Sequence, residues 1–175
     1  MANSALNSIM KTLLSSDAVT GISSTSGASS NDVMNVLSAA LLSLLSGANT
    51  QATQKSTASS FVEAITNHAE SDTSNLTSFF KNVDVADGTK IVKHLLGADT
   101  TATTKEVAKS SGLSTKQVTS IISAAAPLLL SLLGQQTKKK AKKETSTDVV
   151  ASLASSLLLG GGKLDAGSII KSLLK

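Results

Sequence analysis

The chain has no cysteine, arginine, tryptophan or tyrosine, and it holds one proline and three phenylalanines in 175 residues. Each absence removes a class of chemistry. Without thiols there is no disulfide framework, thiolate zinc site, iron–sulfur cluster or cysteine nucleophile, and redox chemistry says nothing of the compartment. Without arginine the bidentate grip on carboxylate, phosphate or guanine is missing, which argues against a nucleic-acid reader or a phosphoryl-transfer enzyme. The shortage of rings disfavours a flat ligand box between elements. Charged residues make up only 16% of the chain, against roughly 25% in an ordinary soluble domain. Weak charge lets copies approach one another, so the surface permits self-association. Residues 1–16 carry one lysine and no uninterrupted apolar run of the length a secretory leader needs. A cytoplasmic protein is the expectation.

What is present is leucine, isoleucine, valine and alanine at helical spacing, and the spacing repeats. Residues 22–45 match residues 107–130 at a shift of 85. Under it Gly27 meets Gly112, Ser29 meets Ser114 and Val33 meets Val118. A second pattern occurs three times, with apolar pairs flanking a lysine or its neighbour. Ile9, Met10, Leu13 and Leu14 recur as Ile91, Val92, Leu95 and Leu96, and again as Ile169, Ile170, Leu173 and Leu174. A weaker match pairs residues 61–65 with 149–153. The pattern predicts an all-α fold made of a duplicated multi-helix unit, two pseudo-repeats with central apolar helices. The expected units are residues 1–82 and 83–162, and residues 163–175 form a helix that copies the start of a further unit.

Within each unit the Ser-Gly-x-Ser turn explains itself. Gly27 or Gly112 closes one helix in a left-handed conformation, and Ser29 or Ser114 caps the next. The apolar helices are expected over residues 31–45 and 115–133. Serines interrupt both, so they read as buried core rather than as membrane spans of ~20 apolar residues. Pro127 should kink the second. Polar stretches at residues 47–59, 70–74 and 135–147 read as loops, and Gly160, Gly161 and Gly162 as a hinge.

Few residues offer chemistry. The segment around Gly112 has the small and apolar pattern of a helix-turn-helix, which would aim Lys116 and Gln117 at bases. The first copy of that turn carries no basic residue, and a turn that merely packs two helices needs the same pattern. Lys138, Lys139, Lys140, Lys142 and Lys143 could attract phosphate or an anionic membrane. A solvated linker explains them more simply. His68 and His94 lack partners at ligand spacing, and Asp84 and Asp87 read as helix-capping residues. No Gly-x-Ser-x-Gly, no Ser-His-Asp set and no phosphate-cradling loop occurs. The chain is therefore expected to have no catalytic site, no cofactor, no metal and no small-molecule substrate, and neither nucleic acid nor membrane is the favoured partner.

Several of these segments resemble the YidB-like bacterial proteins. They are Ser111-Gly112-Leu113-Ser114, Gln117-Val118, Ile121-Ile122 and the run from Ala126 to Gly134. Upstream, Asp87-Gly88, Ile91 and His94-Leu95-Leu96-Gly97 extend the likeness, which covers roughly residues 33–136. The resemblance implies an all-helical fold in the bacterial cytoplasm and brings no catalytic residues. This chain departs in having less glycine in its apolar helices and in its extra helix near residue 170.

The fractional repeat favours a self-associating structural protein whose partner is itself, as a homo-oligomer or head-to-tail filament. A solenoid-like unit buries its faces against neighbours, and a contact between two different surfaces that does not close makes a fibre. The expected contact residues are Leu164, Ile169, Ile170, Leu173 and Leu174 on one side and Leu6, Ile9, Met10, Leu13 and Leu14 on the other. The rival is a nucleic-acid-associated protein that uses the Gly112 turn and the lysine run.

Overall fold

A computed structural model describes residues 2–140, with the side chains of residues 7–138. Residues 141–175 lie outside the described residues. With them lie the expected contacts Leu164, Ile169, Ile170, Leu173 and Leu174, the lysines Lys142 and Lys143, and the glycine run. The side chains of Leu6, Lys139 and Lys140 also lie outside.

The fold is all-α, and no strand occurs among the described residues. The order is α1 (Ala2–Leu13), α2 (Ser16–Ser26), α3 (Ser30–Thr53), α4 (Ala58–Ala69), α5 (Leu76–Lys81), α6 (Val85–Leu96), a single 3-10 turn (Gly97–Asp99), α7 (Thr100–Ser111) and α8 (Thr115–Lys140). The starts are set by short polar side chains that satisfy orphan backbone N–H groups. Ser15 accepts from the Ala18 amide, Ser29 from Asp32, Asn75 from Ser78, and Asp84 from both Ala86 and Asp87. In α6 this cap is followed by Asp87 in the first turn and by Lys93 and His94 in the last, which complements the helix dipole at both ends.

The two Ser-Gly-x-Ser turns have nearly the same geometry. Gly27 ends α2 at φ 73°, ψ 12°, and Gly112 ends α7 at φ 73°, ψ 15°. Each donates its N–H back to the carbonyl four residues before, Ser23 and Ala108 respectively. Only glycine takes this left-handed conformation without a steric cost.

α8 is the centre. From Ile121 to Gly134 every residue is buried, and α1, α2, α3, α4, α6 and α7 all touch it. A helix that is apolar on all sides must be enclosed, and α8 is enclosed by its own chain. α3 is different. By length and composition both α3 and α8 are long and apolar enough to cross a membrane, but 83% of the apolar window of α8 is buried against 44% of that of α3.

One core runs through the whole described chain, from Ile9 and Leu13 through Phe61 to Leu133. It is built with few rings, so close backbone approach does much of the packing. A β-carbon added at Gly88 would strike the Ser123 carbonyl oxygen, one at Gly47 the Leu95 carbonyl, and one at Gly134 the Ile65 carbonyl. These three glycines sit where α6 crosses α8, α3 crosses α6 and α4 crosses α8. Contacts of this kind gain dispersion energy and weak Cα–H···O attraction where a larger residue would hold the helices apart.

Two elements run longer than the sequence suggests. α3 continues through residues 47–53 and α8 through residues 135–140, both read from sequence as loop. Ala48, Gln51 and Ala52 are buried there, and so is Thr137. Burial of one face outweighs the modest helix propensity of Asn49, Thr50 and Thr53. Thr50 and Thr53 also return their hydroxyls to the carbonyls of Ser46 and Asn49. Pro127 lies inside α8 and the helix continues past it.

Candidate functional site

One cavity, of about 360 Å³ between α4, α5 and the start of α6, holds a small group of titratable residues. His68, Asp72, Asp84 and Asp87 line it. The packing of α4 and α6 on α8 brings His68 to Asp87 across 19 positions of sequence, with Nε2 3.4 Å from Oδ2. The other ring nitrogen, Nδ1, donates to the Ala64 carbonyl at 2.9 Å. Asp84 is occupied with the α6 cap. Asp72 accepts from the Ser74 hydroxyl and, at 2.9 Å, from its backbone N–H. Those two donors hold the Asp72 carboxyl below its ordinary value of 3.8. The Asp72–Ser74 contact lies within one turn, and no histidine joins it to make a Ser-His-Asp set among the described residues. Among the described residues no cluster of histidine and carboxylate could hold a metal ion.

The turn that resembles a helix-turn-helix is well formed, but its residues are engaged differently from the sequence reading. Gln117 is exposed, and its amide oxygen is engaged within the turn. It accepts from both the Ser114 amide, at 3.1 Å, and the Ser114 hydroxyl, at 2.8 Å, while Ser114 Oγ accepts from the Gln117 amide. This is a reciprocal capping box, and the pattern Ser-x-x-Gln could have shown it in the sequence. Lys116 is exposed. Beyond Val118 only Thr119 and Ser120 are partly open before the helix is enclosed, so α8 can offer a partner little more than its first turn. Lys138 pairs with Glu70 of α4.

Ile9, Met10 and Leu13 of α1 face the core and are buried, with Leu14 packed against it. Of the α1 residues expected to self-associate, Ile9, Met10 and Leu13 are thus enclosed within the described part of the chain.

Another open surface feature lies elsewhere. A groove of about 700 Å³ runs between α3 and the α6–α7 junction, lined among others by Leu42, Ser46, Thr50, Leu96, Ala102 and Glu106. The α3 wall is uncharged, since no ionisable residue occurs between Val33 and Thr53. Asn35, Ala39, Ser46 and Thr50 are exposed along it, with Ser38 and Leu42 half-buried. Gln51, at 9% exposure, lines the same groove, and its side-chain oxygen has no hydrogen-bond partner among the described residues. A buried acceptor left unpaired is costly, which marks this wall as the least satisfied part of the fold.

Taken together, these features define a helical packing domain whose polar residues serve caps and turns. The model of a family described as "Bacterial protein of unknown function (DUF937)" matches residues 8–136, and the chain belongs to that family. The YidB-like resemblance read from the packing motifs agrees with it. Searches of the curated proteins and of the solved structures return no match.

Proposed function

We propose that the chain is a non-enzymatic, self-associating structural protein of the cytoplasm, which joins copies head to tail through its segment at residues 163–175. One observation carries this reading. In a fold that otherwise encloses its apolar helices, α3 keeps an uncharged face open from Asn35 to Thr50 beside a long groove. A face without charge, lined by small polar and apolar side chains, repels neither a second copy nor another helix. The sequence meanwhile holds a third copy of the pattern that α1 and α6 bury, at Ile169, Ile170, Leu173 and Leu174. A head-to-tail contact of two unlike surfaces propagates unless its rotation closes.

The test is negative-stain electron microscopy with light scattering on the full chain and on a chain ending at Gly160. Filaments or large oligomers that vanish on shortening support the reading. A monodisperse monomer in both cases refutes it. The rival, nucleic-acid association, keeps Lys116 on the exposed first turn of α8 and the lysines after Lys138. It requires duplex DNA to shift at micromolar protein in about 50 mM salt, with binding that weakens steeply as salt rises.

A further inference from the structure

The described helices pack reciprocally. α1 and α2 lie on α8, and α6 and α7 lie on α3. Under the shift of 85 that relates residues 22–45 to 107–130, α2 corresponds to α7 and α3 to α8. The two halves thus exchange their short helices across the long ones. The balance is not complete, because α4 and α6 touch both long helices but pack far more extensively on α8 than on α3, and α5 covers α2. Their contacts are specific. Gly134 of α8 meets Ile65 and Ala69 of α4, and Gly21 of α2 meets the ring of Phe80 of α5. Gly88 of α6 meets Ser123, and Thr89 of α6 donates its hydroxyl to Ser123 Oγ at 3.0 Å.

The same shift places Ser38 of α3 at Ser123 and Leu42 at Pro127, and Glu106 of α7 at Gly21. On α8 those positions are covered: Ser123 is 1% exposed. On α3 and α7, Leu42 and Glu106 border the open groove, and Ser38 lies half-buried one helical turn before Leu42. We infer that this groove is the seat of residues 149–174, which would cover α3 as α4 and α6 cover α8. Residues 149–153 match the apolar positions of α4, and a shift of 78 from α6 gives the rest. Ile91, Val92, Leu95 and Leu96, the four large apolar residues that α6 buries, become Ile169, Ile170, Leu173 and Leu174. At the corresponding approach Ala166 stands in place of Gly88 and Gly167 in place of Thr89, so this segment would seat with a wider spacing on α3 than α6 has on α8.

Charge fits the same occupant. Asp99 and Glu106 are exposed on the groove's α7 side. Residues 149–174 carry Lys163 and Lys171 against the single acid Asp165. The unpaired oxygen of Gln51 on the α3 wall would receive a donor from the docked segment. The inference deepens the self-association reading by naming its acceptor surface, and it rests on that reading only as to which copy supplies the segment.

The chain has no cysteine, so an introduced pair reports cleanly. The contact of Thr89 with Ser123 transposes to Gly167 with Ser38. Full chains carrying Ser38→Cys and Gly167→Cys, on separate tagged copies or together, are oxidised and resolved by mass. Thr25→Cys with Gly167→Cys, at the open end of α2, is the background control. A disulfide at least tenfold above background between separate copies supports both the docking and the self-association. A disulfide formed only within the doubly substituted chain, insensitive to dilution, supports the docking and refutes head-to-tail assembly. Background levels in both experiments overturn the docking. Leu42→Lys, a half-buried site on the groove wall, is expected to reduce the disulfide at least tenfold while the helical circular dichroism is kept. An unchanged yield in that variant also overturns the proposal.

Discussion

Gly88→Ala tests whether close backbone approach holds this fold together. On helix propensity alone the substitution should stabilise α6 by about 1 kcal/mol, since alanine is the better helix former. The structure gives the opposite sign. The new methyl would fall within contact distance of the Ser123 carbonyl oxygen, with the Ser123 carbonyl carbon 2.8 Å away and Pro127 Cδ 3.3 Å away. A backbone carbonyl inside α8 cannot rotate aside, and the proline ring is rigid, so α6 must move outward. That movement loosens Ile91, Val92, Leu95 and Leu96 together, because one helix carries all four. Overpacking against an unyielding neighbour costs about 3 kcal/mol, the upper end of the usual range. With the propensity gain subtracted, a net loss of about 2 kcal/mol remains. In a chain of this size that lowers Tm by about 4–8 °C. Urea and thermal unfolding followed by circular dichroism at 222 nm measure it. A variant as stable as the parent, or more so, would show that α6 and α8 do not approach as described.

Two other expectations have different physical origins. Gly112→Ala meets no neighbour within 4 Å, so any loss comes from the left-handed backbone alone. About 1 kcal/mol is expected, with Gly112→Asn recovering part of it because asparagine tolerates that region better. Ser74→Ala removes the hydroxyl that is the larger cause of the low Asp72 value. The Asp72 midpoint, followed by NMR titration, should therefore rise toward 3.8. A carboxyl depressed in the folded state contributes stability above its unfolded value and loses it as pH falls through the folded one. The acid side of the pH–stability profile should flatten slightly in the variant, and an unmoved Asp72 midpoint would refute the assignment.

Much of the architecture was legible because it is periodic. The absence of strand alternation and the 3.6-residue spacing give the all-α class, and the turns at Gly27 and Gly112 follow from glycine and serine chemistry. The ends of α3 and α8 were not legible. Asn49, Thr50 and Thr53 look like loop residues until Ala48, Gln51 and Ala52 are seen packed beneath them, and only tertiary burial decides between the two. The His68–Asp87 pair was hidden for another reason, since two helices meeting on a third create it. Gln117 was legible in a different way. The Ser-x-x-Gln capping pattern with Ser114 stood in the sequence, and the structure shows both of its hydrogen bonds. The open groove could not be read at all, because exposure belongs to the assembled helices.

The enclosure of α8 also dictates an order of events during synthesis. It is the last of the described helices to leave the ribosome, and six earlier helices use it as their common wall. α1 therefore waits roughly a hundred residues for its partner, a long loop to close and a source of slow folding. Until residues 121–134 emerge, the faces of α1, α2, α3, α4, α6 and α7 that pack on α8 have nothing to rest on. The growing chain is most exposed to misassembly in that interval, and its maturation should be close to all-or-none, triggered by the arrival of one apolar segment.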